Sequence, residues 1–242
     1  MLSTTVSLST ATGLLYNQNM ASDGTGGRIT AIEKQKNRKI YDIHIDGEAA
    51  FTLNNAVLAE MSIHIGDTVK AETLDEQIHA VENKYAFDKA LGYLTGGMRT
   101  TSQVRDYLKR KGFHPGSIQE ALEKLEQYGY LNDAHFAQSF VESRQSKKGV
   151  SRRQLANALH RRGLGSEDVE DAVSAISDDE EIHNAIEFAR KYIKSHQGQA
   201  GTLRKKAGRA LFAKGFASQT ISTALKTVFC DTDEEGVNID EG

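Results

Sequence analysis

Apolar and polar residues follow two different periods along the 242-residue chain. From residue 27 to residue 80 they alternate, most clearly in the stretches GRITAIEKQ, RKIYDIHID and AAFTL. Alternation combined with many β-branched and aromatic side chains predicts half-buried strands. Gly47, in the sequence DGE, can adopt a positive φ and predicts a hairpin turn. The stretch AVLAEMSI is predicted to form a short helix, and IGDTVKAETL a turn and a further strand.

From Glu82 onward the apolar residues recur every three or four positions, which is the period of an amphipathic helix. This part repeats one phrase, as LKRKGFHPGSIQEAL, LHRRGLGSEDVEDAV and LFAKGFASQTISTAL. The central glycines, Gly112, Gly163 and Gly215, are separated by 51 (163 − 112) and 52 (215 − 163) residues. Each repeat carries three apolar stripes. We therefore predict a mainly α protein of tandem three-helix repeats in an elongated, curved array, preceded by a small, mostly β module.

Local signals mark where several of these helices begin and end. Thr100 with Gln103, and Ser151 with Gln154, have the spacing of a capping box at a helix start. Pro115 suits the first turn of the helix that follows Gly112. Gly112 itself is predicted to end the preceding helix in the left-handed conformation.

These patterns divide the chain into six segments. Residues 1–26, rich in Ser, Thr and Gly, are expected to be a disordered leader, and Met20 is an alternative natural start. The predicted β module covers 27–80. The three-helix repeats are assigned to residues 81–130, 131–177 and 178–229, and an acidic, disordered tail to 230–242.

The net charge of −3 conceals a strong asymmetry along the chain. Residues 1–83 carry 6 basic and 11 acidic side chains, or −5, whereas residues 84–227 carry 24 and 16, or +8. Residues 228–242 carry no basic and 6 acidic side chains, or −6. A basic repeat region between acidic segments favours an anionic partner, either a nucleic acid or an acidic protein surface.

Motifs of enzymes, cofactor sites and metal sites are not found in the sequence, so we expect neither catalysis nor a cofactor. The acidic stretch SDDEEI, residues 177–182, is interpreted as a helix start, because Ser177 and Glu180 form another capping box. Cys230 is the only cysteine, which excludes an internal disulfide. No apolar run is long enough to span a membrane. We expect a cytoplasmic monomer.

Basic residues concentrate at helix ends and near two helix starts. Cations at a helix C-terminus are ordinary capping, but cations at a helix N-terminus oppose the helix dipole. Because the second and third repeats both place them there, we predict recruitment of an anionic partner; a solvated surface is the alternative. The predicted partner-binding residues are Lys109, Arg110, Lys111, Arg144, Lys147, Lys148, Arg152, Arg153, Arg161, Arg162, Arg204, Lys205, Lys206 and Arg209.

Several motifs between about Ala86 and Phe229 resemble those of the RecX family of bacterial RecA-modulating proteins. That family shows Arg-Ser/Thr-x-x-Glu-Leu, then Lys-Gly-Phe, then Gly-Tyr-[Ile/Leu]-x-Asp-x-x-Phe-Ala. The matching residues here are Arg99, Thr100, Val104, Lys111, Gly112, Phe113, Gly129, Tyr130, Leu131, Asp133, Phe136 and Ala137. Gln103 replaces the usual Glu and still suits a capping box. The β module resembles an N-terminal extension of some Gram-positive members.

This resemblance implies a non-enzymatic regulator that binds the RecA–single-stranded DNA filament. Such proteins restrain the ATPase, strand-exchange and co-protease activities of the filament, and some also bind DNA. The resemblance does not identify contact residues. Two alternatives stay open: direct binding to single- or double-stranded DNA, and a generic helical scaffold. Against direct DNA binding, no aromatic residues are interleaved with the basic ones for base stacking, and the isoelectric point is near 6.3.

Overall fold

The computed structural model describes residues 26–36, 39–145 and 149–234. The expected leader, apart from Gly26, and the tail beyond Glu234 lie outside these residues. The chain divides into two compact units, Met1–Asn132 and Asp133–Gly242. Its elements are β1 (Gly27–Lys34), β2 (Ile40–Ile45), β3 (Glu48–Asn54), α1 (Asn55–Met61), β4 (Thr68–Val69), α2 (Ala71–Leu94), α3 (Thr101–Lys111), α4 (Pro115–Gln127), α5 (Asp133–Gln145), α6 (Arg152–His160), α7 (Ser166–Ser174), α8 (Asp178–Lys194), α9 (Ala200–Lys214) and α10 (Ser218–Glu234). None of the helices in the described part is long and apolar enough to cross a membrane.

The N-terminal module is an antiparallel sheet with the strand order β3-β2-β1-β4. The three predicted strands and the short helix α1 are confirmed. Asp46 and Gly47, both at positive φ, form the two-residue turn between β2 and β3. Ile43 and Ile45 of β2 are buried in a core completed by α1 and by the first half of α2. This module therefore packs on a helix that continues beyond it.

The prediction of a turn and strand over residues 65–74 is largely wrong. Only Thr68–Val69 pair as a strand, and α2 begins at Ala71. Leu74, Ile78, Glu82, Ala86 and Ala90 recur every fourth residue along α2, and all five are buried. A carboxylate in the middle interrupts the apolar stripe, which is why the sequence pattern indicated helix only beyond that point.

The buried carboxylate of Glu82 has partners that begin helix α4. It accepts hydrogen bonds from the backbone N–H of His114 at 3.1 Å and from the hydroxyl of Ser117 at 3.1 Å. Both carboxylate oxygens lie 2.9 Å from His114 Nδ1. Because α4 has no side-chain cap of its own at His114, the Glu82 carboxylate supplies this helix start with an acceptor.

Each predicted repeat consists of three helices: α2 to α4, α5 to α7, and α8 to α10. Three separate apolar cores accompany them, one for each repeat. The capping boxes at Thr100, Ser151 and Ser177 are all confirmed, as is Pro115 in the first turn of α4.

The repeated glycine has the same geometry in all three repeats. Gly112, Gly163 and Gly215 have φ values of 83°, 81° and 95°, in the left-handed region that favours glycine. After each glycine, the next residue donates its backbone N–H to the carbonyl of a buried leucine five positions earlier: Phe113 to Leu108, Leu164 to Leu159, and Phe216 to Leu211. This bond closes a Schellman-type turn, which explains why the sequence phrase recurs.

The last helix is longer than predicted. Helix α10 continues to Glu234, so Cys230, expected after the final helix, is an exposed residue within it. The buried Val228 anchors this part of the helix, and no glycine or proline interrupts the chain before Gly236. The expected tail therefore begins with helical backbone.

Candidate partner-binding surface

The predicted contact residues fall into several groups with different environments. The first group lies on the exposed side of α9; it is called here the α9 cluster and consists of Arg204, Lys205, Lys206 and Arg209. The opposite side of the helix buries Leu203, Ala207 and Leu211, which fixes the cluster on the outside. None of the four cations pairs with a carboxylate among residues 26–36, 39–145 and 149–234. The first turn of α9 contains no acidic residue.

An exposed aromatic ring accompanies the α9 cluster. Phe212 is 61% exposed, and it follows the buried Leu211. It lies three residues after Arg209 and seven after Lys205, so the helical period places the three side chains on one face. The expectation that no aromatic residue is interleaved with the basic ones is therefore wrong for α9. The adjacent Leu-Phe pair was the available sequence signal, since a narrow stripe buries only one of two neighbours.

Arg152 differs from the α9 cluster because its charge is already paired. Its Nη1 donates to Asp178 Oδ1 at 2.8 Å, and its Nη2 donates to the carbonyl of Ile176. The backbone N–H of Arg152 donates to the carboxylate of Glu181, at 3.1 Å and 3.3 Å from its two oxygens. The electrostatic cost of a cation at the start of α6 is thus offset within the second unit, and this argument no longer favours a partner at Arg152.

Arg153 is positioned by the end of α9. Its Nη2 donates to the carbonyl of Phe212 at 3.3 Å, where the negative end of a helix dipole favours a cation. The neighbouring Ser151 hydroxyl donates to the carbonyl of Lys214 at 2.7 Å. A Cβ atom added at Gly215 would lie 2.6 Å from Arg153 Nε, so the glycine turn and the start of α6 fit closely together. These contacts join the second and third repeats.

Arg144 and Arg162 share one aromatic ring. Their guanidinium carbons lie 5.1 Å and 4.5 Å from the centroid of Phe140, within the range of a cation–π interaction. Phe140 in turn stacks on Phe136 at 6.3 Å. Arg162 also donates to the carbonyl of Ala158 at 2.7 Å. The structure therefore brings together two basic residues that are 18 positions apart (162 − 144) in sequence.

The remaining predicted residues are exposed helix ends or lie outside the described range. Lys109, Arg110 and Lys111 occupy the last turn of α3, in the first unit, where cations stabilise the helix dipole. Arg161 is exposed directly after α6. Lys147 and Lys148 fall outside the described residues. Of all the predicted cations, those of the α9 cluster are the ones on an exposed helix face with no internal partner.

The acidic stretch at the start of α8 has structural roles. Glu180 closes the capping box with Ser177, while Asp178 and Glu181 bind Arg152. These contacts confirm its interpretation as a helix start. Clusters of three or more metal-ligating side chains are absent from the part of the chain that the structure describes.

Glu180 and Glu181 have pKa values shifted in opposite directions. Hydrogen bonds, first from the Ser177 backbone N–H and then from its hydroxyl, lower the pKa of Glu180. Burial raises the pKa of Glu181, and hydrogen bonding from the Arg152 N–H opposes this only in part. As the pH falls, the folded state becomes relatively more stable through the raised pKa of Glu181. It loses the contribution of Glu180 only at lower pH, through that residue's lowered pKa.

Replacing Arg152 by Gln is expected to raise both pKa values, because the guanidinium charge lowers each of them. Carboxyl ¹³C NMR titrations of the two variants measure this directly, with the exposed Glu170 of α7 as an internal control that does not move. An unchanged pKa of Glu181 in Arg152→Gln would contradict the ion-pair geometry described here.

The matches to known proteins cover both units. Residues 86–125 match the model of the RecX first three-helix domain, and residues 132–173 match that of the second. The regulatory protein RecX of Bacillus licheniformis is 31% identical over 208 residues, which is 85% of this chain and 79% of that protein. The regulatory protein RecX of Caldanaerobacter subterraneus subsp. tengcongensis is 31% identical over 197 residues, covering 81% of this chain and 98% of that protein.

Two solved structures share the fold at 24% sequence identity. A crystal structure of regulatory protein RecX superposes with a TM-score of 0.60 and covers 83% of this chain and 99% of its own. The crystal structure of RecX from Lactobacillus salivarius has a TM-score of 0.58 and covers 62% and 99%. The family resemblance of the sequence motifs is thereby confirmed. With relatives at 31% identity over most of both chains, and with both domain matches lying on observed three-helix repeats, this chain belongs to the RecX family of regulatory proteins.

Proposed function

We propose that this protein binds the RecA–single-stranded DNA filament in the cytoplasm and restrains its activities without catalysing a reaction. The restrained activities are ATP hydrolysis, strand exchange and stimulation of self-cleavage by other proteins. Family membership supports the choice of partner. The observation that carries the proposal is the α9 cluster, whose four cations are exposed and lack carboxylate partners in the described part of the chain.

The α9 cluster suits an anionic partner for an electrostatic reason. Four like charges within two turns of one helix repel each other, and an acidic protein surface or a row of phosphates relieves that repulsion on binding. The core-facing side of α9 is fully used, so substitutions in the cluster leave the third repeat packed. The cluster is therefore a contact surface that can be altered without unfolding the protein.

The test measures DNA-dependent ATP hydrolysis by RecA while this protein is added to assembled filaments. We expect the wild type to inhibit hydrolysis. The double variant Arg204→Glu/Lys205→Glu should require at least about tenfold more protein for half-inhibition, because reversed charges repel an anionic surface. Far-ultraviolet circular dichroism should show unchanged helicity.

A matched control reverses a charge elsewhere in the same repeat. Lys226 of α10 is exposed, and Lys226→Glu changes the net charge by the same amount as the single variant Lys205→Glu. We expect Lys226→Glu to inhibit like the wild type. Equal inhibition by Arg204→Glu/Lys205→Glu and the wild type would reject the α9 cluster as the contact. Absence of inhibition by the wild type would reject the proposed function itself.

Direct binding to single-stranded DNA is the second candidate, and Phe212 favours it. An exposed ring between Lys205 and Arg209 is the arrangement in which a base stacks while the cations contact phosphates. Binding to bare single-stranded DNA at two salt concentrations separates the candidates. Inhibition of RecA at concentrations too low to bind bare DNA supports filament recognition, whereas salt-sensitive binding to bare DNA without inhibition supports the second candidate.

A further inference from the structure

A cavity of about 180 Å³ lies between the β module and the first repeat, within the first unit. Lysines from three separate places in the chain line it: Lys39 before β2, Lys89 on α2 and Lys111 at the end of α3. Phe113 and Asn54 form further parts of the wall. Of these residues, only Lys111 was among the contacts predicted from the sequence, because residues 39 and 89 meet it only in the folded unit.

The three lysines give the cavity an uncompensated positive charge. All three are exposed, and none forms an ion pair with a carboxylate of the described residues. Lys111 lies over the ring of Tyr107, with 5.4 Å between its Nζ and the ring centroid, which restricts where the ammonium group points. Three ammonium groups around one concave surface attract a multiply charged anion more strongly than a singly charged one.

Asn54 adds a buried donor that has no acceptor. Its side chain is 4% exposed. The Oδ1 atom accepts hydrogen bonds from the backbone N–H groups of Ala56 and Val57, at 3.0 Å and 3.1 Å, and these two donors fix the orientation of the amide. The Nδ2 atom is left without a hydrogen-bond partner among the described residues. Buried donors are ordinarily satisfied, so an unpaired one in a cavity wall indicates a missing acceptor.

The backbone around the cavity is held rigidly. Gly112 follows Lys111 and packs on β2: an added Cβ atom would lie 2.8 Å from Ile40 Cδ1 and 3.7 Å from Asn54 Cβ. The backbone N–H of Asn55 donates to the carbonyl of Lys39 at 3.0 Å. These contacts fix the relative positions of Lys39, Asn54 and Lys111. The cavity is thus organised before any ligand arrives, which lowers the entropic cost of binding.

We propose that this cavity binds a phosphate group. The three lysines supply charge to a dianion, and the Asn54 amide supplies a neutral donor to one of its oxygens after a small adjustment of the side chain. The phosphate of a free anion and that of a nucleic-acid backbone share this chemistry. This site is separate from the α9 cluster, and its existence does not depend on the proposed action on RecA.

The experiment follows the Asn54 side-chain amide by ¹⁵N NMR in the full-length protein. Sodium phosphate is titrated at constant pH and ionic strength against sodium chloride and sodium acetate. A parallel titration uses a short deoxythymidine oligonucleotide. We expect a saturable shift of the Asn54 resonance with phosphate, with the oligonucleotide, or with both, and no such shift with chloride or acetate.

Three variants define the residues involved. Lys89→Gln/Lys111→Gln should weaken phosphate binding about tenfold, because two of three charges are removed. Asn54→Asp keeps the Oδ1 acceptor that caps α1 but replaces the donor by a second carboxylate oxygen, so it should abolish binding; in this variant thermal stabilisation by phosphate is the readout. The control, Lys109→Gln, removes an exposed charge on α3 that does not line the cavity and should bind like the wild type.

The outcomes separate the two sources and also allow failure. A shift with inorganic phosphate indicates a site for the free anion, whereas a shift with the oligonucleotide alone indicates a site for a backbone phosphate. No shift with either ligand overturns the proposal. An equal shift with acetate, or equal weakening by Lys109→Gln and the double variant, also overturns it, since general electrostatics would then suffice.

Discussion

Replacing Glu82 by Ala is expected to lower the free energy of unfolding of the first unit by about 3–5 kcal/mol, as for other buried charged or hydrogen-bonded partners. The carboxylate is fully buried and receives hydrogen bonds from the His114 backbone N–H and the Ser117 hydroxyl. Its removal leaves these donors without an acceptor and creates a cavity in the helix interface. Urea denaturation followed by circular dichroism measures the loss.

The exposed Glu76 on the same helix provides the matched control. Glu76→Ala removes the same side chain from α2 without touching a buried donor, so we expect a change within about 0.5 kcal/mol. Glu82→Gln should fall between the two, because its amide oxygen still accepts one hydrogen bond while its NH₂ group faces other donors. Equal stability of Glu82→Ala and Glu76→Ala would contradict the buried network.

Replacing Gly112 by Ala is expected to destabilise the first unit by about 2–4 kcal/mol, for two reasons that add. The left-handed conformation of this residue costs a side chain about 1–2 kcal/mol. The added Cβ would also lie 2.8 Å and 2.9 Å from two atoms of Ile40, and overpacking of this kind costs about 1–3 kcal/mol. Because Ile40 belongs to β2, the second cost measures the contact between the glycine turn and the β module.

Gly129 separates these two costs. It also has a positive φ, of 73°, but a Cβ added there would meet nothing within 4 Å. Gly129→Ala should therefore show only the conformational part, about 1–2 kcal/mol. The difference between the two glycine variants, read from their urea midpoints, isolates the packing on Ile40. If Gly112→Ala and Gly129→Ala lose the same stability, the turn does not press against β2.

Local signals made much of this fold predictable from the sequence. The alternation in β1 to β3, the Asp46–Gly47 turn, the capping boxes and the repeated glycines each depend on neighbours a few residues away. The start of α2 was missed because its recognition depends on a distant partner. Glu82 looks like a break in an apolar stripe until His114, 32 residues later (114 − 82), is placed beside it.

The candidate surface was less predictable for the same reason. A sequence shows where cations are, but it does not show which of them already have partners. Arg152 and Arg204 both stand near a helix start, yet Asp178 pairs with the first and no carboxylate of the described residues pairs with the second. The convergence of Lys39 and Lys89 on Lys111 requires the packing of the β module on the first repeat. Neither distinction follows from spacing along the chain.

The continuous helix α2 has a consequence for cooperativity. Leu74 and Ile78 belong to the core of the β module, while Ala86 and Ala90 belong to that of the first repeat. Melting of either core frays a helix that the other requires, so the two behave as a single foldon rather than as adjacent modules. The predicted boundary at residues 80 and 81 falls in the middle of this helix. The family-like repeat and its N-terminal extension are thus inseparable in this protein, and a chain cut there would lose the helical turn that precedes Glu82.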